Sequence, residues 1–290
     1  MILSMTGFGK AIGQYGNKKL IVEIKSLNSK QTDLTVRMPT LYKEKEMVMR
    51  TLLYDKLGRG KIEFNLYVEN NGAESNYTIN KDLALNYFTN IKALADEIGE
   101  SERSYLSTLI KLPEVVRAER EDLDEEEWSY IEKLTHEACD HLTDFRRQEG
   151  EKLYKDFTAR IDGILEHFET VKAHESERVD SVRQRISKAL EDNVSSDKID
   201  KNRQEQELIY YIEKLDITEE KVRLKAHCEY FMETLNTGDS QGKKLGFITQ
   251  EIGREINTIG SKAYHAPIQK AVVQMKDELE KIKEQVLNVL

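Results

Sequence analysis

Between Trp128 and Val179 the chain has no proline and only two glycines, Gly150 and Gly163, and its apolar residues recur at helical spacing. This predicts one very long helix through "IEKLTHEACDHLTDFRRQEGEKLYKDFTARIDGILEHFETVKAHESERV", in which each glycine costs about 1 kcal/mol against alanine. A charged helix of that length cannot bury its apolar stripe within one small domain. It must pack on other helices or on other subunits, so a homo-oligomer is expected.

The chain ahead of it has a different period. "KKLIVEIKSLN" alternates Leu20, Val22 and Ile24 against Ile21, Glu23 and Lys25, and "TDLTVRMP" repeats the period of two with Leu34 and Val36 before Pro39 ends it. "TLYKEKEMVMRTLLYDKLG" then places Leu41, Met47, Met49, Leu52, Leu53 and Leu57 on a helix closed by Gly58. "GKIEFNLYVEN" returns to alternation, and a second helix follows from about Asp82 to Ile98. The fold class is α+β: an N-terminal β-β-β-α-β-α domain with a mostly antiparallel sheet, followed by a long-helix, all-α C-terminal region. The boundaries are 1–113 for the α+β domain, 114–127 for an acidic connector, 128–215 for a long antiparallel helical pair turning near 193–202, and 216–290 for a C-terminal helical domain. In that last domain "DITEEKVRL" opens with a capping box, Asp216 then Glu219, and "NTGDSQGKK" (236–244) is a flexible loop.

Two distant cysteines, Cys139 and Cys228, fit no zinc or redox spacing and suggest a reducing compartment. "MILSMTGFGKAIG" lacks a charged lead or a cleavage signature, and no apolar run reaches membrane-spanning length, so a cytoplasmic protein with no membrane partner is expected. The Gly-x-Gly of this segment lacks the strand-then-helix setting of a nucleotide loop. Net charge is −9, which opposes bulk attraction to nucleic acid. Yet residues 1–70 hold twelve Lys/Arg against seven Asp/Glu, leaving room for a basic patch.

The segment "QEIGREINTIGSKA" (250–263) concentrates the chemistry. At about 100° per residue, Leu245, Ile248, Ile252, Ile256 and Ile259 form one apolar face. Glu251, Arg254, Glu255, Thr258 and Lys262 form a stripe beside it, at the rim where burial begins. Two carboxylates at i and i+4 repel unless a cation holds them, and Arg254 or a divalent Mg or Mn would serve. Gly246, Gly253 and Gly260 recur every seven residues and leave backbone bare for a close neighbour. The preceding helix carries Glu220, Arg223, His227 and Tyr230 beside its own apolar face of Leu224, Phe231 and Leu235. A short connection makes the two helices antiparallel neighbours, bringing His227 towards the carboxylates. Histidine, carboxylates and arginine together support metal-assisted phosphodiester hydrolysis: Glu251, Glu255 and His227 for the metal or proton transfer, Arg254 and Lys262 for charge on the phosphate. The bland reading is a solvated face of intrahelical ion pairs, which makes the chain a non-catalytic oligomeric adaptor binding RNA or protein. Arg59-Gly60-Lys61 is first of all a turn, and second a pair of phosphate contacts.

"MILSMTGFG", "RMP" and "RGKIEFNL" resemble the N-terminal half of the YicC/YloC family, and "DITEEKVRLKAHCEYF", "GKKLGFITQEIGREINTIGSKA" and "ELEKIKEQVLNV" resemble its C-terminal domain. The resemblance covers most of the chain in the right order. It implies a bacterial endoribonuclease of RNA turnover that needs a divalent metal and cuts single-stranded or structured RNA as a ring-like or clam-shell oligomer, a hexamer. The matching positions are Arg223, His227, Gln250, Glu251, Arg254, Glu255, Asn257, Gly260, Ser261 and Lys262, with Glu149, Gly150 and Glu207 in the preceding helices. The chain departs from the family pattern at Gly246 and Gly253, where Asp and Asn are common. On this reading His227, Glu251, Arg254 and Glu255 are the candidate catalytic set, His227, Glu251 and Glu255 the metal ligands, and Arg223, Asn257, Lys262, Arg59 and Lys61 the RNA contacts.

Overall fold

A computed structural model describes residues 2–29, 31–70, 77–99, 104–118, 123–193, 201–237 and 241–290. The four alternating segments form one sheet of β1 (Gly7–Tyr15), β2 (Lys18–Leu27), β3 (Asp33–Arg37) and β4 (Lys61–Asn70), in the order β1-β2-β4-β3. β1–β2 and β2–β4 are antiparallel, and β3–β4 is parallel. The Gly16-Asn17 turn joins β1 to β2 with Gly16 at φ +55°, a hairpin geometry that follows the strand twist. A 3₁₀ turn (Thr40–Lys45) and α1 (Glu46–Leu57) make the crossover from β3 to β4. Leu20, Val22, Ile24, Ile62 and Phe64 are buried, as the alternation predicts, and so are Met49, Leu53 and Leu57 of α1. Met47, placed on the helix's apolar stripe by sequence, is 71% exposed.

The long helix is α4 (Glu125–Ala173), 49 residues on one axis. The Asp124 carboxylate accepts from the Glu126 N–H at 3.0 Å, and Glu125, Glu126 and Glu127 place negative charge on the positive end of the helix dipole. Its first half lies directly on the sheet. Gly7, Gly9, Ala11 and Gly13 alternate onto the face of β1 that meets α4, and a Cβ at Gly9 would stand 2.0 Å from the Ala138 carbonyl oxygen. The Gly-x-Gly motif is therefore a seat for a helix. Trp128, Ile131, Leu134, Ala138 and Leu142 close this first core, while Phe157, Ile161, Ile164, Phe168 and Val171 enter a second. The α4 helix thus belongs to both cores. Between them the chain's first residues cross α4 at Gly150 and pair with its last: Ser4 bridges Val289, and the Leu290 N–H donates to the Leu3 carbonyl at 2.9 Å.

The stretch after β4 holds more structure than its pattern suggests. A two-stranded sheet of β5 (Tyr77–Ile79) and β6 (Val116–Ala118) flanks α2 (Lys81–Ile98) and the short α3 (Leu106–Leu109). Three-residue strands are too short to show a period. Beyond α4 come α5 (Glu175–Asn193), α6 (Lys201–Lys214), α7 (Thr218–Asn236), α8 (Gly242–Lys262) and α9 (Ala266–Val286). The long helix breaks at His174, where neither glycine nor proline marks it. Val179 and Val182 of α5 line one small cavity with Ile212 of α6, and the Arg178 guanidinium donates to the Leu215 carbonyl at 2.5 Å, so the start of α5 meets the end of α6. The expected far turn of that pair (194–200), part of the acidic run (119–122) and part of the last loop (238–240) lie outside the described residues. No helix among the described residues is long and apolar enough to cross a membrane.

Candidate metal centre

The second core fixes two helices side by side. The expected capping box does not form at the start of α7: the N-cap is Ile217, Asp216 just before it accepts from the Thr218 N–H at 3.2 Å and from its hydroxyl at 3.0 Å, and Glu219 turns to Arg223 instead. Leu224, Phe231 and Leu235 are buried, and the Phe231 ring meets Phe157 of α4 edge-on at 5.8 Å. The predicted apolar face of α8 is buried at every position from Leu245 to Ile259.

The glycine heptad sets the distance between α8 and α9. Gly246 faces Val286, Gly253 faces Leu279 and Gly260 faces Val272; a Cβ would meet those side chains at 3.6, 3.1 and 2.9 Å. The bare backbone thus admits the chain's own last helix, which repeats every seven residues in the opposite direction.

α7 runs antiparallel to α8. At one end Lys262 Nζ donates to Glu220 Oε1 and to the Asp216 carbonyl, both at 2.8 Å. At the other, Lys244 Nζ sits 4.7 Å from the centre of the Tyr230 ring. Between these ends lie His227, Glu251 and Glu255, each offering one ligand atom, all within 4.8 Å of one another. His227 is half-buried and Glu251 exposed, while Glu255 is only 4% exposed. The Glu255 carboxylate makes no hydrogen bond or ion pair among the described residues, and Glu251 has only Arg254, at 4.0 Å. One imidazole and two carboxylates are a donor set for a divalent cation, and a buried carboxylate without a positive neighbour is costly unless one arrives. Donor atoms this close come within reach of a common ion through small side-chain rotations.

The other predicted residues fall into three groups. Arg223, Arg254 and Asn257 are exposed on the helices that form the cluster. Lys262 is at the end of the same groove, engaged with Glu220. Arg59 lies in the turn between α1 and β4 and Lys61 opens β4, both beside the first core; the Arg59 carbonyl accepts from Arg146 at 3.5 Å and Lys61 approaches Glu63 at 3.9 Å. Both cysteine thiols are pushed up to about 12 by burial, so neither is a ready nucleophile, although Cys228 adjoins His227. Helical spacing of the polar stripe did not single out Phe247 or the lysines Lys243 and Lys244 beside it. The signal was there: Phe247 is four residues before Glu251 on the polar stripe, where an exposed aromatic is out of place.

A sheet-seated long helix leading into a helical bundle with a His-Glu-Glu cluster defines an α+β scaffold with one candidate metal centre among its described residues. Residues 2–155 match the family described as endoribonuclease YicC-like, N-terminal region, and residues 171–290 match endoribonuclease YicC-like, C-terminal. The chain belongs to this YicC-like endoribonuclease family. It is 34% identical over 295 residues to a probable endoribonuclease YicC of Clostridioides difficile, and 32% identical over 293 residues to that of Haemophilus influenzae. Both alignments span all of each chain.

Proposed function

We propose that this protein cuts RNA internally with the help of a divalent cation, Mg or Mn, held by His227, Glu251 and Glu255, and that it acts in cytoplasmic RNA turnover. Membership of an endoribonuclease family supports the reaction. The observation that carries the metal assignment is the convergence of His227, Glu251 and Glu255, whose ligand atoms lie within 4.8 Å of one another with no cation partner at Glu255 among the described residues.

Bound there, a divalent cation would supply positive charge for the scissile phosphate and would acidify water. Glu255 and His227, held by packing, fix the position of the site. Glu251, exposed at the groove, would take a proton at a carboxylate oxygen from the attacking hydroxyl as that oxygen bonds to phosphorus; the bond to the departing ribose oxygen breaks and that oxygen takes its proton from water. Arg254 and Arg223 reach outward from the same stripes to pair with phosphate oxygens. Lys262 keeps α8 on α7 through Glu220, so its part is to hold the groove's shape.

End-labelled RNA incubated with Mn²⁺, with Mg²⁺ and with EDTA, beside Glu251→Ala, tests this reading. Expected are internal cuts that need metal and fall by about 100-fold or more in the variant. No cutting of several RNAs by folded wild type would sink it in favour of a non-catalytic adaptor. Unchanged turnover in the variant would remove Glu251. We further infer a homo-oligomer, because Leu85, Leu94, Ile98 and Leu106 stand exposed on the α2–α3 unit; light scattering giving a monomer mass would refute it.

A further inference from the structure

The two ends of the α7–α8 groove differ. Towards the start of α8 two aromatic side chains stand in the open, Tyr230 at 44% and Phe247 at 58% exposure. Each is one helical turn from the cluster on its own helix: Tyr230 follows His227 by three residues, and Phe247 precedes Glu251 by four. Since the helices are antiparallel, both rings fall at the same end. Each has a lysine over it, Lys244 at 4.7 Å from the Tyr230 ring centre and Lys243 at 6.0 Å from that of Phe247. The opposite end carries guanidinium groups instead. Arg223 precedes His227 by four residues and Arg254 follows Glu251 by three.

Exposed rings interleaved with cations suit a polyanion whose subunits have flat faces. Nucleobases stack on aromatic side chains whatever their sequence, and lysines beside the rings neutralise the phosphates between them. A protein partner for two exposed rings would call for apolar neighbours, whereas here four cations surround the cluster on a chain of net charge −9. In a duplex the base faces are already stacked and hidden. The platform therefore selects unpaired RNA.

We propose that Tyr230 and Phe247 form a stacking platform for unpaired RNA bases, which seats the adjoining phosphodiester over His227, Glu251 and Glu255; this rests on the endoribonuclease reading above. A strand gripped in this way is cut a fixed, short distance from the stacked bases.

The test measures affinity of the full chain in EDTA by fluorescence anisotropy, for a short single-stranded RNA and for an abasic oligonucleotide of the same length. Phe247→Ala and Tyr230→Ala should each weaken RNA binding about 5- to 100-fold. Tyr230→Phe should keep it, and the abasic strand should bind wild type and variants alike. Unchanged RNA affinity in both alanine variants overturns the platform, as does an equal loss on the abasic strand. A drop in oligomer mass in Phe247→Ala also overturns it, by marking these rings as contacts between copies. If wild type binds and cuts RNA while the variants match it, the platform alone falls. If wild type neither binds nor cuts, the endoribonuclease reading falls and the platform with it.

Discussion

Each of the two cores contains a buried charge, and the fold answers them differently. Arg146, at 3% exposure, sits where α4 crosses the sheet. Its terminal nitrogens donate to the Leu57 carbonyl at 3.0 Å, the Ser26 hydroxyl at 2.6 Å and the Arg59 carbonyl at 3.5 Å, leaving Nε without an acceptor. Glu255, at 4% exposure, receives nothing comparable from the second core. Desolvating either group is expensive. Arg146 recovers that cost by joining α1, β2 and the turn before β4, so it is scaffold. Glu255 faces a groove shared with a histidine and another carboxylate, and its compensation has to come from outside.

The largest effect is expected at the scaffold charge. Arg146→Leu leaves two buried acceptors and one half-buried acceptor without this donor and should lower unfolding free energy by about 4 kcal/mol, read from denaturant titration. Cleavage per folded molecule should hold, and a loss of activity without a loss of stability would break the distinction between the two charges. Next comes the crossing between the cores. A Cβ at Gly150 would stand 2.1 Å from the Ile2 carbonyl oxygen, so Gly150→Ala should cost about 3 kcal/mol by forcing backbone apart. Wild-type stability in that variant would mean that the first residues do not cross α4 there.

Glu255→Gln should act in the other direction. Neutralising one of two carboxylates that face each other without a cation between them should stabilise the metal-free protein by up to about 2 kcal/mol, read as a raised Tm. The same variant should lose the Tm increase that Mn²⁺ gives wild type, since binding to the folded state alone is what produces it. Destabilisation in EDTA would show that the carboxylate is structural after all, and the two charges would then be of one kind.

The parts of this fold that were legible in the sequence are those governed by a local period. Leu20, Val22 and Ile24 of β2, and Leu245 through Ile259 of α8, take the burial their spacing dictates. The His227, Glu251 and Glu255 juxtaposition was legible too, because a short connection makes α7 and α8 neighbours. What was not legible depends on what lies opposite. Glu251 and Glu255 share one stripe, yet one is exposed and the other buried, and only the approach of α7 separates them. The stripe of Gly246, Gly253 and Gly260 announced a close neighbour without naming α9. Gly150 and Gly163 looked alike as two weak points in a helix, but Gly150 meets backbone, whereas a Cβ at Gly163 would touch the Glu278 side chain, no nearer than 3.5 Å at Cγ. Gly163→Ala should therefore stabilise by about 1 kcal/mol through helix propensity, the smallest of these stability changes. A destabilised variant would put Gly163 with Gly150 and reveal a second tight crossing.

Glu278 faces that position and gives the last and subtlest contrast with Glu255. Burial alone would raise its pKa, but hydrogen bonds from Lys281 at 2.9 Å and Arg160 at 3.0 Å hold it below its ordinary value of 4.5. A carboxyl whose folded pKa is depressed adds stability that is in place above its unfolded value and disappears as pH falls through the folded one. The protein should therefore lose stability on acidification below about pH 4.5, and Glu278→Gln should flatten that limb, as measured by thermal unfolding against pH. An acid limb that Glu278→Gln leaves intact would mean that the bonds from Lys281 and Arg160 do not hold this carboxyl down, and the contrast with the unpaired Glu255 would lose its paired member.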